Sequence, residues 1–271
     1  MLKLLKPHVA KIAVEENGHF VLLAVFDSVD DTVLIEKSII NELISPQNAL
    51  NIANNQYGIK VFEYLLSPRD TKFFHPQYIN VLTPGDNNPH SKKDKEIRKK
   101  ELRNTASNNL LKLVETQVKD LVEQGSKSVL VLNILTMASD DVDKKPALRS
   151  LIKLLSDEGP YHEPKDGKMH IIENGHANYL IKKLLIHEKR QLQNGEKLIG
   201  LSELLVSMIP SETISSWYQC NRGAFLLLSL IEIGINQVNE ILKSALNHLK
   251  KDIKEKNYKG AQMLVEKLEA L

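Results

Sequence analysis

Apolar positions recur along the chain at a helical spacing, and each occurrence begins at a small residue. The residues three, four and eight positions after the small residue are apolar in every occurrence. Positions with these offsets lie on one face of an α-helix, whereas a β-strand would require alternation at every second residue. The small residues, which we call origins, are Gly18, Gly58, Ser126, Ala177, Gly223 and Gly260. The pattern predicts a helix at each origin, with one apolar face.

A second amphipathic stretch precedes several origins. Before Gly18, for example, the chain carries Val9, Ile12 and Ala13. Each repeat is therefore predicted to be a pair of helices, and the distances between origins suit two- or three-helix repeats, with one large insertion. A small residue at each origin lets neighbouring helices approach closely, and the apolar face is buried only when the next repeat stacks on it. The sequence predicts an all-α stack of helix pairs.

Turn signals fall between the apolar faces and interrupt none of them. They are Ser67-Pro68, Thr83-Pro84-Gly85, Gly159-Pro160, Asp166-Gly167, Asn194-Gly195 and Ile209-Pro210. At the start of the chain, Leu2, Leu4 and Leu5 stand where a terminal repeat normally presents a polar outer helix. We therefore expect further repeats to precede this sequence.

The insertion, residues 83–103, holds a local excess of positive charge. From His90 to Arg103 there are seven Lys and Arg residues against three acids, although the whole chain has a formal net charge of only +2. The basic residues are Lys92, Lys93, Lys95, Arg98, Lys99, Lys100 and Arg103. A basic helix can pair with phosphates and give salt-dependent, sequence-independent affinity. The alternative is a solvated helix face with i,i+4 ion pairs such as Glu96 to Lys100.

The overall composition fits a helical protein of the cytosol or nucleus. Apolar residues make up 42% of the chain, charged residues 26% and aromatic residues 5%. The single cysteine, Cys220, cannot form an internal disulfide, and it precedes a very apolar stretch. We expect it to be a buried, unreactive thiol. The sequence predicts neither a signal peptide nor a membrane span.

Signals for enzymatic chemistry are weak. Residues 195–200 have the spacing of a phosphate-binding loop, but Leu201 stands where the lysine belongs. The neighbouring histidines His162, His170 and His176 lack the spacing that presents ligands to one metal ion. We therefore expect a protein that is not an enzyme and holds no cofactor or metal.

Four segments together resemble the C-terminal half of the Puf-A/Penguin branch of Pumilio-repeat proteins, the CPL-domain family. They are HVAKIAVEENGHFVLLAVFDSVDDT (residues 8–32), YGIKVFEYLLSPRD (57–70), PGDNNPHSKKDKEIRKKEL (84–102) and NRGAFLLLSL (221–230). The likeness covers almost the whole chain, and PGDNNPHSKKD is its most specific part. It implies a right-handed α-solenoid of divergent Pumilio-type repeats. Residues 1–82 would form two such repeats, 83–103 the basic insertion, and 104–271 four divergent units of a CPL-like region.

The resemblance also implies a function. Proteins of this branch are expected in the nucleus and nucleolus, in ribosome biogenesis, rRNA processing or translational regulation. They bind RNA, including pre-rRNA, or DNA with little sequence preference. We expect a monomer without a membrane partner that also contacts ribosome-assembly proteins. The alternative is a protein-binding α-solenoid without direct RNA contact.

The residues themselves test how RNA would be read. Base-reading Pumilio repeats present a stacking side chain two positions past the origin and usually Gln or Glu five positions past it. Here four of the six repeats have an aliphatic residue at the fifth position, namely Leu23, Val131, Leu228 and Val265. An aliphatic side chain cannot hydrogen-bond to a base edge. The sequence therefore predicts no base-by-base code.

Electrostatic contact with occasional stacking is the predicted binding mode instead. Outside the insertion, Lys60, Lys127 and Lys182 are candidates for phosphate contacts. Phe20, Tyr179 and Phe225 are candidates for base stacking. The alternative for the two phenylalanines is burial in the core, which leaves Tyr179 as the strongest stacking candidate.

Overall fold

The structure is a computed structural model that describes residues 2–83, 86, 88–164 and 167–271. These residues form helices and connecting turns and contain no β-strand, so the all-α prediction is confirmed. None of the helices in these ranges is both long and apolar enough to cross a membrane. The predicted turn residues Pro84, Gly85 and Asp166 lie outside the described residues.

The helices of the first half are short except for the last two. In chain order they are α1 Leu2–Leu5, α2 Val9–Ala13, α3 Gly18–Ser28, α4 Thr32–Ile35, α5 Asn41–Leu43, α6 Ala49–Ala53, α7 Gln56–Leu66, α8 Pro76–Leu82, α9 Lys95–Val122 and α10 Gly125–Met137. A π-helical segment, Glu36–Ile40, joins α4 to α5. The insertion thus ends as the first turns of α9.

The second half of the chain also consists of helices joined by connecting segments. Its helices are α11 Lys145–Asp157, α12 Gly175–Asn194, α13 Leu201–Met208, α14 Ser211–Ser216, α15 Asn221–Ile233, α16 Asn236–Leu246, α17 Lys250–Lys254 and α18 Lys259–Glu269. Two of the predicted turns are visible in the backbone here. Gly195 ends α12 in the left-handed conformation with φ 66°, and Pro210 separates α13 from α14.

Each origin lies within the first three residues of a helix, and these helices are α3, α7, α10, α12, α15 and α18. The residues four and eight positions after every origin are buried. Two of the residues at the third position are exposed instead, Val21 by 49% and Val129 by 36%. The third position lies about 100° around the helix from the fourth and about 140° from the eighth. The prediction that every third position is buried was therefore wrong at α3 and α10, where the buried face is narrower.

Small residues at the origins allow close packing, as predicted. A Cβ atom added at Gly18 would lie 2.5 Å from the carbonyl oxygen of Ile12, and one at Gly260 would lie 2.8 Å from that of Asn221. The origin helices also pack on one another in chain order, α3 on α7, and α12 on α15 on α18. Any larger residue at these two origins would push the paired helices apart.

The chain divides into two compact units. Unit 1 comprises Met1–Gln117 and Val129–Lys144, and unit 2 comprises Val118–Ser128 and Lys145–Leu271. Helix α9 is interrupted at the boundary, because Gln117 has non-helical backbone angles of φ −126° and ψ 22°. The division into residues 1–82, 83–103 and 104–271 stays a prediction.

Candidate nucleic-acid interface

The basic segment, residues 90–103, joins a turn to the start of α9 in unit 1. Asp94 caps the helix, since its Oδ1 accepts the backbone N–H groups of Glu96 at 2.9 Å and Ile97 at 3.1 Å. A carboxylate at this position satisfies the unpaired N–H groups of the first turn and favours the helix dipole. The charged sequence Lys-Lys-Asp-Lys-Glu thus contains its own signal for starting the helix.

The turn is attached to unit 1 through Asp30, in the connection that follows α3. The backbone N–H groups of Lys92 and Lys93 donate to Asp30 Oδ2 at 2.6 and 3.1 Å. Ser91 Oγ donates to Oδ1 at 2.8 Å, and the Arg98 guanidinium contacts the same oxygen at 2.7 Å. These hydrogen bonds, with the backbone N–H of Lys92 as the largest contributor, lower the pKa of Asp30 to about 2. Asp30 is therefore the anchor of the basic segment.

Three further cations of the segment form ion pairs. Lys93 Nζ lies 2.6 Å from Glu101, Lys99 Nζ lies 2.8 Å from Glu96, and Lys95 Nζ lies 3.6 Å from Asp86. The predicted partner of Glu96 was Lys100, but Glu96 pairs with Lys99, one residue nearer. Much of the positive charge counted in the sequence is thus already neutralised within unit 1.

Asp86 also belongs to a network around Arg69. The Arg69 guanidinium donates to Asp86 at 2.7 Å through Nη1 and to Asp27 at 2.8 Å through Nε. Tyr64 donates its hydroxyl to the same Asp27 at 2.6 Å. Arg69 is the one described non-glycine residue with a positive φ, 58°, a conformation that costs free energy outside glycine. Three groups therefore fix a strained residue beside the basic segment.

The remaining candidates of the segment differ sharply in exposure. Lys92, Lys100 and Arg103 are exposed to solvent. Arg98 is only 4% exposed, so in this structure its guanidinium serves Asp30 and does not face solvent. Lys127, at the start of α10, is also 4% exposed. Because a phosphate contact requires an accessible cation, the positions of Arg98 and Lys127 argue against the binding roles predicted for them.

In unit 1, aromatic rings and a lysine gather where α3, α7 and α8 meet. Lys60 Nζ lies 4.6 Å from the ring centre of Tyr78 and 6.0 Å from that of Tyr57. The ring of Phe20 lies 5.1 Å from Tyr78, and the buried imidazole of His19 stacks on Tyr57 at 5.2 Å. Phe20, Tyr57 and Lys60 are partly exposed and Tyr78 is exposed. We call Phe20, Tyr57, Lys60 and Tyr78 the unit 1 aromatic cluster.

Unit 2 has a matching arrangement on α12 and α15. Tyr179 is 45% exposed, and Lys183 Nζ lies 5.4 Å from the centre of its ring. Lys182 Nζ lies 5.3 Å from the ring of Phe225 on the neighbouring helix. Both phenylalanine and lysine in that pair are partly exposed. We call Tyr179, Lys182, Lys183 and Phe225 the unit 2 aromatic cluster.

A local hydrogen-bond system fixes the helix that carries Tyr179. Asn174 caps α12 by accepting the backbone N–H groups of His176 at 2.9 Å and Ala177 at 3.0 Å. Asn178 donates through Nδ2 to the carbonyl oxygens of Ile172 and Arg222, each at 3.2 Å. The side chain next to Tyr179 therefore ties α12 to the start of α15.

Both clusters combine the two groups that contact single-stranded nucleic acid. An exposed aromatic face stacks on bases of any sequence, and a lysine beside it attracts phosphate. Four members occupy the same repeat position, two residues after an origin: Phe20, Lys60, Tyr179 and Phe225. The predicted residues Lys60, Tyr179 and Lys182 thus lie in these clusters, separate in sequence from the basic segment.

Sequence reasoning missed three members, Tyr57, Tyr78 and Lys183. Lys183 follows Tyr179 by four residues, which is the spacing of side-chain pairs on a helix, so it was available from the pattern. Tyr57 precedes an origin by one residue, outside the offsets considered. Tyr78 belongs to α8, which is not an origin helix, and only the fold brings it to Lys60. The described residues contain no group of His, Cys, Asp and Glu side chains that could hold a metal ion.

Comparison with known proteins gives a consistent result. The CPL (NUC119) domain family matches residues 54–197. Pumilio homolog 3 from Homo sapiens is 37% identical over 272 residues, which cover 99% of this chain and 41% of that protein. The chain spans about two fifths of the length of such curated relatives.

Solved structures agree in fold. The crystal structure of human Puf-A matches with a TM-score of 0.85 and 36% identity, over 98% of this chain and 50% of that chain. A crystal structure of human Puf-A in complex with DNA matches with a TM-score of 0.83 and 34% identity, over 98% and 49% of the two chains.

Proposed function

Since this chain belongs to the CPL-domain family of Pumilio-type helical-repeat proteins, we propose that it binds single-stranded nucleic acid with little sequence preference. This proposal rests on the recurrence, in both units, of an aromatic ring beside a lysine, with one member of each pair two residues after an origin: Lys60 beside Tyr78, Tyr179 beside Lys183, and Phe225 beside Lys182. The relative solved in complex with DNA supports the same class of ligand.

In this proposal the aromatic clusters and the exposed part of the basic segment have different tasks. Tyr179 and Tyr78 stack on bases, which tolerates any sequence because every base has a flat face. Lys60, Lys182 and Lys183 hold phosphates beside the stacked bases. Lys92, Lys100 and Arg103 add phosphate contacts, whereas the four paired cations of the segment hold it in place.

The biological setting is part of the proposal. The family resemblance supports residence in the nucleus and nucleolus and a part in ribosome biogenesis, with pre-rRNA as the ligand and ribosome-assembly proteins nearby. We propose a monomer that acts in ribosome biogenesis or translational regulation. Fluorescence microscopy of the full-length tagged protein tests the localisation, and sedimentation analysis of this chain tests the oligomeric state.

A salt titration tests the binding mode. The affinity for a labelled single-stranded RNA is measured over a series of salt concentrations, for the native chain and for a Lys92→Gln, Lys100→Gln, Arg103→Gln variant. Each phosphate contact on a single strand contributes about −0.7 to the slope of log affinity against log salt. If all three residues contact phosphate, the slope should become less steep by about 2.

A matched variant removes the same charge elsewhere. Lys3, Lys11 and Lys119 are exposed, and their triple change to Gln should leave the slope nearly unchanged. Equal slopes for all three proteins would remove the basic segment from the interface. A native chain whose affinity does not depend on salt would contradict the proposed function itself.

A further inference from the structure

Unit 1 contains a second polar surface whose chemistry is opposite to that of the aromatic clusters. An open pocket of about 390 Å³ is lined by Asn104, Asn108 and Asn109 of α9, by Glu36 and Asn41, and by Asp141. Its volume falls in the range of ordinary small-ligand sites. No lysine or arginine lines it. Carboxylates and amides thus line this pocket together, with no cation among them.

The lining follows from the local structure of two helices. Asn104 and Asn108 are separated by four residues, so they lie on the same face of α9. Glu36 and Asn41 stand at the two ends of the π-helical segment, where the N–H of Asn41 donates to the carbonyl oxygen of Glu36. The wider π turn brings positions five apart to the same side, and such turns are frequent at functional sites. The two helical segments thus bring five of the six named polar residues to one space, and Asp141 comes from the connection after α10.

Hydrogen bonding in the pocket is incomplete. Asn109 Nδ2 donates to Asn41 Oδ1 at 3.3 Å. The side-chain oxygen of Asn104 is buried and accepts no hydrogen bond in the part of the chain that the structure describes. A buried acceptor without a donor costs about 1–3 kcal/mol. The two carboxylates of the lining only accept hydrogen bonds, whereas each asparagine both donates and accepts, so the lining has more acceptor sites than N–H donors.

The excess of acceptor groups and the negative charge of the two carboxylates together indicate the ligand that fits the pocket. Two carboxylates repel phosphate, and an anionic ligand would have no cation to meet. A guanidinium group carries five N–H donors, no acceptor and a permanent positive charge. We infer that this pocket binds an arginine side chain of a basic protein segment. The inference is independent of the proposed nucleic-acid binding. The residues that line the pocket belong neither to the exposed cations of the basic segment nor to the aromatic clusters.

The test uses a short fluorescent peptide of alternating glycine and arginine, and fluorescence anisotropy as the readout. A Glu36→Gln, Asp141→Asn variant keeps the shape of both side chains and removes their charge. Since hydrogen bonds to charged groups are among the strongest, its affinity for the peptide should fall about tenfold. A matched peptide has citrulline, which lacks the positive charge, in place of arginine. The native chain should bind this peptide about as weakly as the double variant binds the arginine peptide.

Glu15 and Glu16 supply the control, because both are exposed and their double change to Gln removes the same charge. That control should bind the arginine peptide as the native chain does. An equal loss in both variants would show general attraction to negative charge and overturn the assignment. If the Glu36→Gln, Asp141→Asn variant instead lost affinity for single-stranded RNA and kept its affinity for the peptide, the pocket would bind bases and the inference would be overturned.

A second variant guards against a folding defect in the first. Asn108 is exposed, so Asn108→Arg is expected to fold and to fill the pocket with its own guanidinium. Peptide binding should then be lost without removal of any acid. Native affinity in this variant would contradict the inference.

Discussion

The basic segment and the aromatic clusters differ in what their cations already contact. The segment has seven basic residues, yet Lys93, Lys95, Arg98 and Lys99 each lie within ion-pair distance of a carboxylate of unit 1. In the unit 2 aromatic cluster, Lys182 and Lys183 lie over rings, and neither forms an ion pair among the residues that the structure describes. The region with more charge thus has the larger share of its cations in ion pairs.

The difference shows that charge must be counted after its partners are known. Asp30, in the connection that follows α3, pairs with the Arg98 guanidinium of the basic segment. This acid is more than fifty residues from the segment, so a local count omits it. A buried ion pair contributes mainly by fixing one arrangement, and breaking it leaves an uncompensated charge. We therefore assign the paired cations to structure and the exposed ones to binding.

The largest expected effect tests whether the paired cations of the basic segment stabilise the fold. Arg98→Met keeps most of the side-chain volume but removes the guanidinium from Asp30. We expect the free energy of unfolding, measured by urea denaturation, to fall by about 2–4 kcal/mol. Arg103→Met, in the exposed part of the same segment, should change it by less than about 0.5 kcal/mol. Similar values for the two variants would mean that the segment is not held as described.

A second prediction tests the binding half. Tyr179→Ala removes the exposed ring over which Lys183 lies, and base stacking on an aromatic side chain contributes about 1–3 kcal/mol. Affinity for single-stranded RNA should therefore fall by about fivefold or more, with little change in the salt slope. Tyr179→Phe should retain the native affinity, because the ring and not the hydroxyl stacks. If Tyr179→Ala binds as the native chain does, the unit 2 aromatic cluster is not an RNA contact.

The smallest expected effect concerns Glu63, which follows Lys60 of the unit 1 aromatic cluster by three residues on α7. Glu63 is buried, which raises its pKa to about 7 against the hydrogen bond that Asn133 donates at 3.0 Å. Because the folded pKa lies above the unfolded value, this group costs no stability below about pH 4.5. Stability decreases as the pH rises from about 4.5 to about 7, because over this range the unfolded chain ionises Glu63 while the folded chain keeps it protonated, and it levels off at higher pH.

Glu63→Gln should remove that dependence. Thermal or urea unfolding should show a gain of about 1–2 kcal/mol at pH 8 and almost none at pH 4.5. Gln retains the oxygen that accepts from Asn133, so packing is preserved. Glu255→Gln, an exposed site, should show the same stability as the native chain at both pH values. A gain for Glu63→Gln that is equal at both pH values would indicate packing instead of ionisation.

Much of the fold followed from short-range patterns. Offsets of four and eight from each origin located the buried face of every origin helix, because burial of a helix face depends on spacing that the sequence shows directly. Gly18 and Gly260 also mark close contacts with Ile12 and Asn221, as the small residues predicted. Val21 and Val129 departed from the pattern because the width of a buried face depends on the neighbouring helices.

The candidate site was less accessible to sequence reasoning. Lys60, Tyr179 and Lys182 were found from repeat position alone, but Tyr78 reaches Lys60 only through the path of the chain after α7. The burial of Arg98 depends on Asp30, which is 68 residues away. Long-range ion pairs follow no periodicity, so a charge run gives the number of cations and not their exposure.

The left-handed backbone of Arg69 has a consequence for protein engineering. A common route to greater thermostability replaces a non-glycine residue of positive φ with glycine, which removes the steric cost at that position. At residue 69 the same replacement would delete the guanidinium that joins Asp27 to Asp86. Asp27 would then lose its cationic partner, and Asp86 would keep only the longer contact with Lys95 at 3.6 Å. A thermostable version of this chain should therefore retain the strained residue and seek its gains elsewhere.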